Sequence, residues 1–215
     1  MPSIRERNRR LIVEAASAEF ADKGFEASTV EDIAARAGLP KANVHYYFET
    51  KRNLYACVLD RVMEPLLRAA RSLDPEALPK DALERYIQAK IGVIRQYPHA
   101  CKVLVREMLH GAHHLSGSRA EAMREIARQN LGCLNTWMDR GLIARTAPEH
   151  LLLFLWSMPM AHIRFAPQGS RLAQSRTHDG HDLQPSASAL TRMLLRGLQP
   201  ERPEQRIAIY KNKYR

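Results

Sequence analysis

No stretch of this 215-residue chain is apolar for long enough to cross a bilayer. Its N-terminus is charged and lacks the apolar run of a secretory signal, so the cytoplasm is the expected compartment. Cysteine is scarce: Cys57, Cys101 and Cys133 are odd in number and scattered. Such a set builds no disulfide framework, and in a reducing compartment it reads as small core residues. Catalytic signatures are missing too. No Gly-rich phosphate loop and no nucleophile motif occurs, which argues against an enzyme, and no cofactor is expected.

What the chain has is positive charge, with 33 Lys and Arg against 23 Asp and Glu, a net of +10. That balance suits a polyanionic partner. Its distribution is uneven, however. Residues 1–73 carry 12 basic and 10 acidic groups, a net of only +2. A non-specific architectural DNA protein would need denser basic charge. The basic groups there include Arg5, Arg7, Arg9 and Arg10, which read as an N-terminal arm able to reach phosphates or the minor groove.

The most informative segment runs from Thr29 to Lys51. Two capping frames overlap at its start, Ser28 with Glu31 and Thr29 with Asp32, and predict a helix. Val30, Ile33, Ala34 and Ala37 form its apolar stripe. Gly38 ends it, because glycine enters the left-handed conformation cheaply. Pro40 suits the first turn of a second helix, where its missing N–H costs nothing. Val44 and Phe48 point inward, which leaves Lys41, Ala42, Asn43, His45, Tyr46 and Tyr47 for the outer surface. Two adjacent tyrosines on so short a helix cannot both face a core. Lys41 and Asn43 suit base edges, small Ala42 allows close approach, and His45 and the tyrosines suit phosphate oxygens. Thr50 caps a third helix, and Lys51 at its start opposes the helix dipole, which a nearby phosphate would account for. This is a helix-turn-helix.

The run from Thr29 to Lys51, with Phe20, Gly24-Phe25 and Leu54, resembles the DNA-binding domain of the TetR family of bacterial transcription regulators over about the first 60 residues. By that resemblance Lys41, Ala42 and Asn43 would face bases, and Thr29, His45, Tyr46, Tyr47 and Lys51 would hold phosphates, with Arg5 in the arm. Pro40 departs from the serine usual in the family, and His45 from a frequent tyrosine.

The remaining chain reads as all-α: an N-terminal three-helix domain (1–50), a connecting helix (51–73), a ligand-binding and dimerisation bundle (74–200) and an extension (201–215), about nine helices in all. Helices are expected near 5–23, 51–73, 81–96, 98–109, 119–144, 148–165 and 186–198. Pro65 and Pro159 are expected to kink theirs. The segment from Leu151 to Met160 is apolar nearly all round, so it must be covered on both sides. With Leu190, Leu194, Leu195 and Leu198 it would form a four-helix interface in a homodimer, the family's mode of pairing. A dimer reads an inverted-repeat operator in double-stranded DNA. Residues 168–185 lack periodicity and are expected to form a long mobile loop.

The bundle is rich in groups that line adaptable cavities. Tyr86, Arg106, Met108, Trp137, Trp156, Met160, His162 and Phe165 are candidate contacts for a small-molecule effector. Tyr97-Pro98, the run from Arg106 to Ala112, Trp156 and the run from Phe165 to Gln168 resemble the branch of the family containing the pyrimidine-utilisation regulator, which implies a pyrimidine or other small metabolite as effector. His110, His113 and His114 have metal-like spacing but no neighbouring Cys and no carboxylate except Glu107, so no metal is assigned.

Overall fold

The structure is a computed structural model that describes residues 3–172 and 184–200, with backbone alone for 162–172. The described residues form nine helices and no strand: α1 (Ile4–Lys23), α2 (Val30–Ala37), α3 (Lys41–Phe48), α4 (Lys51–Ala70), α5 (Pro79–Gln96), α6 (Pro98–Leu109), α7 (Gly117–Asp139), α8 (Pro148–Leu172) and α9 (Gln184–Gly197).

Local chemistry sets the helix ends. Ser3 and Glu6 form a reciprocal capping box, so α1 is helical from Ile4 onward. The arginines read as an N-terminal arm are therefore carried on α1, which starts one residue before the helix expected from about residue 5. Thr29 is the cap that α2 uses: its Oγ1 accepts from the Asp32 N–H at 3.1 Å. Ser28, the rival cap, is buried and donates instead to the Gly24 carbonyl at 2.6 Å. Gly38, at φ 66°, closes α2 in the left-handed conformation. Pro40 sits one position earlier than expected. It occupies the cap of α3 itself, with ψ 143° and no side-chain cap bond, and the helix begins at Lys41.

α4 is the spine. It packs against α1, α5, α6 and α7, and buries a broad face from Leu54 to Ala70 while Asp60 and Arg68 stay exposed. Burying each large apolar side chain stabilises by about 1.5–3 kcal/mol. The core is accordingly one continuous cluster, from Ile12 and Phe20 through Val58 and Val62 to Ile87, Leu134 and Trp137.

Two long helices run through proline. α4 contains Pro65, and α8 continues past Pro159 and Pro167 to Leu172 instead of stopping near Phe165. Packing against α5, α6 and α7 offsets the hydrogen bonds those prolines remove. Of the segment expected as a loop over 168–185, the first residues lie in α8 and the last in α9. The remainder of that loop, 173–183, and the tail 201–215 lie outside the described residues.

From Leu151 to Ala161, α8 is covered on one side only. Leu151 and Leu155 are buried, while Leu153 and Phe154 are about half exposed, at 54% and 49%. Met193 on α9 is 67% exposed. These are among the largest apolar groups facing solvent in the described residues.

Candidate functional site

α3 stands on α2 and α4 through two buried side chains, Val44 and Phe48. Everything else on it faces outward or sideways. Lys41, Ala42, His45 and Tyr46 are exposed, and Asn43 and Tyr47 are half-buried. Tyr46 is 72% exposed and stacks edge-on against Tyr47 at 5.1 Å, so one aromatic of the pair is indeed left to solvent. Lys41 forms an ion pair with Glu31 on α2, which holds the Glu31 carboxyl below its ordinary range. The His45 Nδ1 lies 3.3 Å from the Glu49 carbonyl. Glu49 links α3 to α4 at φ 60°, ψ −54°, a strained conformation for any residue with a Cβ.

Three of the expected phosphate ligands have structural duties. The Thr29 hydroxyl caps α2. Arg9, from the expected arm, packs over the Phe48 ring at 5.4 Å and places a guanidinium nitrogen 3.6 Å from Cys57 Sγ. Lys51 also has partners inside the protein. Its ammonium donates to the carbonyls of Phe25 and Ser28, at 2.8 and 3.0 Å, and reaches that of Glu26 at 3.3 Å. It also lies 4.5 Å from the Phe25 ring centroid. The α1–α2 loop thus supplies the negative partner that the sequence left to a phosphate. Arg5, Arg7 and Arg10 remain exposed along α1.

The unit is braced from within. Glu19, only 2% exposed, meets Lys23 at 2.6 Å and Arg36 at 3.1 Å, and Arg36 also meets Asp22. These pairs tie α1 to α2.

α6 joins this unit to the bundle. Arg106, expected to orient a ligand, is placed elsewhere: its Nη1 donates to the Phe20 carbonyl at 3.1 Å. A Cβ at Gly24 would come within 2.9 Å of that nitrogen, and Gly24 has φ 87°, so close approach and backbone both favour glycine there. Next to it the buried Glu107 accepts from the Tyr55 hydroxyl at 3.0 Å and the His114 N–H at 2.6 Å. The His114 ring packs against both Phe25 and Tyr55, at 4.6 and 5.1 Å. His110 lies against the Arg106 carbonyl at 2.7 Å. His110 and His114 therefore have partners inside the protein, and no metal-binding group of three or more His, Cys, Asp or Glu occurs among the described residues.

Inside the bundle, Tyr86 and Trp137 are fully buried, Trp156 is half-buried, and Met108 and Met160 pack against the core. Burial pushes the Tyr86 hydroxyl well above its ordinary pKa. His162 and Phe165 lie outside the residues whose side chains are described. Burial pushes the Cys101 and Cys133 thiols up to about 12, so neither is a reactive thiolate.

Sequence reasoning missed Lys90. It is completely buried on α5, its Nζ has no hydrogen-bond partner, and desolvation pushes its amine down to about 7. The Nζ lies 4.8 Å from the centroid of Tyr86 and 5.9 Å from that of Trp156. The signal was available: Lys90 falls in helical register with Leu83, Tyr86, Ile87 and Ile94, the face α5 buries.

Residues 12–58 match the model of bacterial regulatory proteins of the tetR family, and residues 59–201 match that of the C-terminal region of YcdC-like proteins. The chain is 28% identical over 192 residues to the HTH-type transcriptional regulator RutR of Escherichia coli strain K12, spanning 89% of this chain and 91% of that one. It is 31% identical over 145 residues to the HTH-type transcriptional repressor SCO4008 of Streptomyces coelicolor, spanning 67% and 71%. Among solved structures, the ketosteroid transcriptional regulator KstR2 of Mycobacterium tuberculosis superposes with a TM-score of 0.74 at 19% identity, covering 90% of this chain and 95% of that one. The regulator PfmR of Thermus thermophilus superposes with 0.69 at 23% identity, covering 94% and 100%. These likenesses at low identity concern the fold.

Proposed function

Because the chain belongs to the TetR family of bacterial regulators and is thereby a DNA-binding transcriptional regulator, we propose that it is a homodimeric repressor that leaves an inverted-repeat operator when a small molecule enters its bundle. The observation that carries the reading is α3, an eight-residue helix anchored by Val44 and Phe48 alone, with Lys41, Ala42, Asn43, His45 and Tyr46 turned outward on a braced support. Lys41 and Asn43 read bases in the major groove, and Ala42 lets the backbone come close. On binding, Lys41 exchanges its Glu31 partner for DNA. Tyr46, Tyr47, His45, Arg5 and the Thr29 hydroxyl proton serve phosphates.

Pairing uses the open face of α8, with Leu153, Phe154 and Met158, together with α9 around Met193. Apolar groups this large and this exposed are what an unpaired subunit would leave bare. Two copies of α3 then meet half-sites one helical turn apart on the same side of the duplex.

The relatives are regulators rather than enzymes, and the lack of catalytic motifs agrees with that. No described helix is long and apolar enough to cross a membrane. A pyrimidine is the effector implied by the likeness to the pyrimidine-utilisation branch. The test is footprinting on the DNA upstream of the gene. A single protected inverted repeat, released by a metabolite, is the expected result, and uniform coverage of the fragment would sink the regulator reading.

A further inference from the structure

We infer that Lys90, between the rings of Tyr86 and Trp156, anchors a binding site for a carboxylate carried on a small planar body. The inference rests on the ligand-responsive reading above and deepens it by naming the effector's chemistry.

Lys90 is 0% exposed, and its Nζ meets no hydrogen-bond partner. What it has instead are two aromatic rings, 4.8 and 5.9 Å from the ammonium. Ring quadrupoles attract a cation, but far less than a paired anion does in a dry interior. Desolvation alone lowers the amine, with no neighbouring charge contributing, so charged and neutral forms are close in free energy near neutral pH. An arriving anion tips that balance and supplies the missing partner.

Trp137 points the same way. Its Nε1 is a second buried donor without a partner. The third unpartnered atom among the described side chains, Glu19 Oε1, belongs to the DNA-reading unit and lies beside the Lys23 ammonium. Among the buried side-chain atoms described in the bundle, donors are thus left over and no acceptor is. A ligand complementary to it brings acceptor oxygens. A neutral carbonyl would leave the ammonium charge uncompensated, and a phosphate would ask for more donors than one amine. The flat faces of Tyr86 and Trp156 select a planar body.

The test titrates the full-length protein, without DNA, with three matched pairs: benzoate and benzamide, nicotinate and nicotinamide, orotate and orotamide. Tryptophan fluorescence and calorimetry report binding. The expected result is that at least one carboxylate binds at millimolar concentration or below, about tenfold or more tighter than its amide, the effect of one added charge pair. Lys90→Met should remove that preference. Lys90→Gln, which keeps N–H donors without the charge, should remove it too and serves if the first variant does not fold. Absence of binding by all three carboxylates, amides that match their acids, or undiminished carboxylate binding by the variants overturns the proposal. Operator footprinting is scored separately. A carboxylate that binds through Lys90 without releasing DNA supports the anion site and sinks the switch, whereas a wild type that shows no carboxylate preference but still leaves its operator for another metabolite sinks the anion site alone.

Discussion

In the helix-turn-helix unit the buried Glu19 carboxylate meets two cations, and the Lys51 ammonium meets three carbonyls. In the bundle, Lys90 and Trp137 hold buried N–H groups that meet nothing. The difference separates two kinds of task. A reader of base edges must hold its surface still before DNA arrives, so its interior polar groups are satisfied in advance. On the proposed reading, the bundle's unpartnered donors are what an effector would satisfy, and its differential affinity for them would separate two states.

The comparison can be broken most forcefully at the dimer face. Phe154→Arg should yield a monomer by sedimentation and cut operator affinity on the order of a hundred- to ten-thousandfold, because the second half-site no longer binds intramolecularly. A dimer of unchanged affinity would mean that the open face of α8 has another use. Next comes the reader itself. Asn43→Ala should lose about 1–3 kcal/mol of discrimination at one base-pair position in each half-site, measured by competition with mutated operators. Unaltered base preference would remove Asn43 from the reading surface.

Two stability measurements then set the regions against each other. Lys51→Met should cost about 2 kcal/mol in denaturant unfolding, since charged hydrogen bonds to the loop carbonyls disappear. Lys90→Met should act in the opposite direction and stabilise by about 1–2 kcal/mol, as an apolar side chain replaces an unpaired buried amine. The pH dependence distinguishes the cause. The unfolded Lys90 holds its proton up to its ordinary value near 10.5, while the folded one gives it up at about 7. Burial of Lys90 therefore penalises the fold fully below pH 7, and the penalty eases as pH rises from 7 towards 10.5. The wild type should gain stability relative to Lys90→Met across that window, and parallel curves would mean that the amine is not desolvated. The smallest effect is expected at the α3–α4 turn. Glu49→Gly should relieve a positive φ and raise stability by about 1 kcal/mol.

Helix by helix, the architecture was readable wherever its determinants are local. Thr29, Gly38 and Thr50 mark their own helix ends through bonds that span three or four residues. Pro98 and the turn at His110 bound α6 where the pattern put them. The contacts that the sequence did not foresee share a cause, which is distance along the chain. Lys51 finds its carbonyls 23 to 26 positions upstream, and Arg106 finds Phe20 86 positions away. Neither partner can be inferred from helical periodicity. α8 outran its expected end because tertiary packing outweighed the local cost of Pro159 and Pro167. Lys90 was different again. Its register placed it on the apolar face of α5, but a lysine invites assignment to solvent even where the helix leaves it no route there.

The contacts of Arg106 and Glu107 bear on how such proteins can be recombined. The two family models meet between residues 58 and 59, which looks like a natural seam for transplanting the reader onto another bundle. A graft cut there would carry Phe20, Gly24 and Tyr55 but abandon Arg106, Glu107 and His114. The Phe20 carbonyl would lose its guanidinium, and Tyr55 its buried carboxylate. A chimera that keeps these contacts must therefore import the segment from Arg106 to His114 along with the first three helices and the start of α4, a discontinuous module defined by what touches rather than by what is adjacent in sequence.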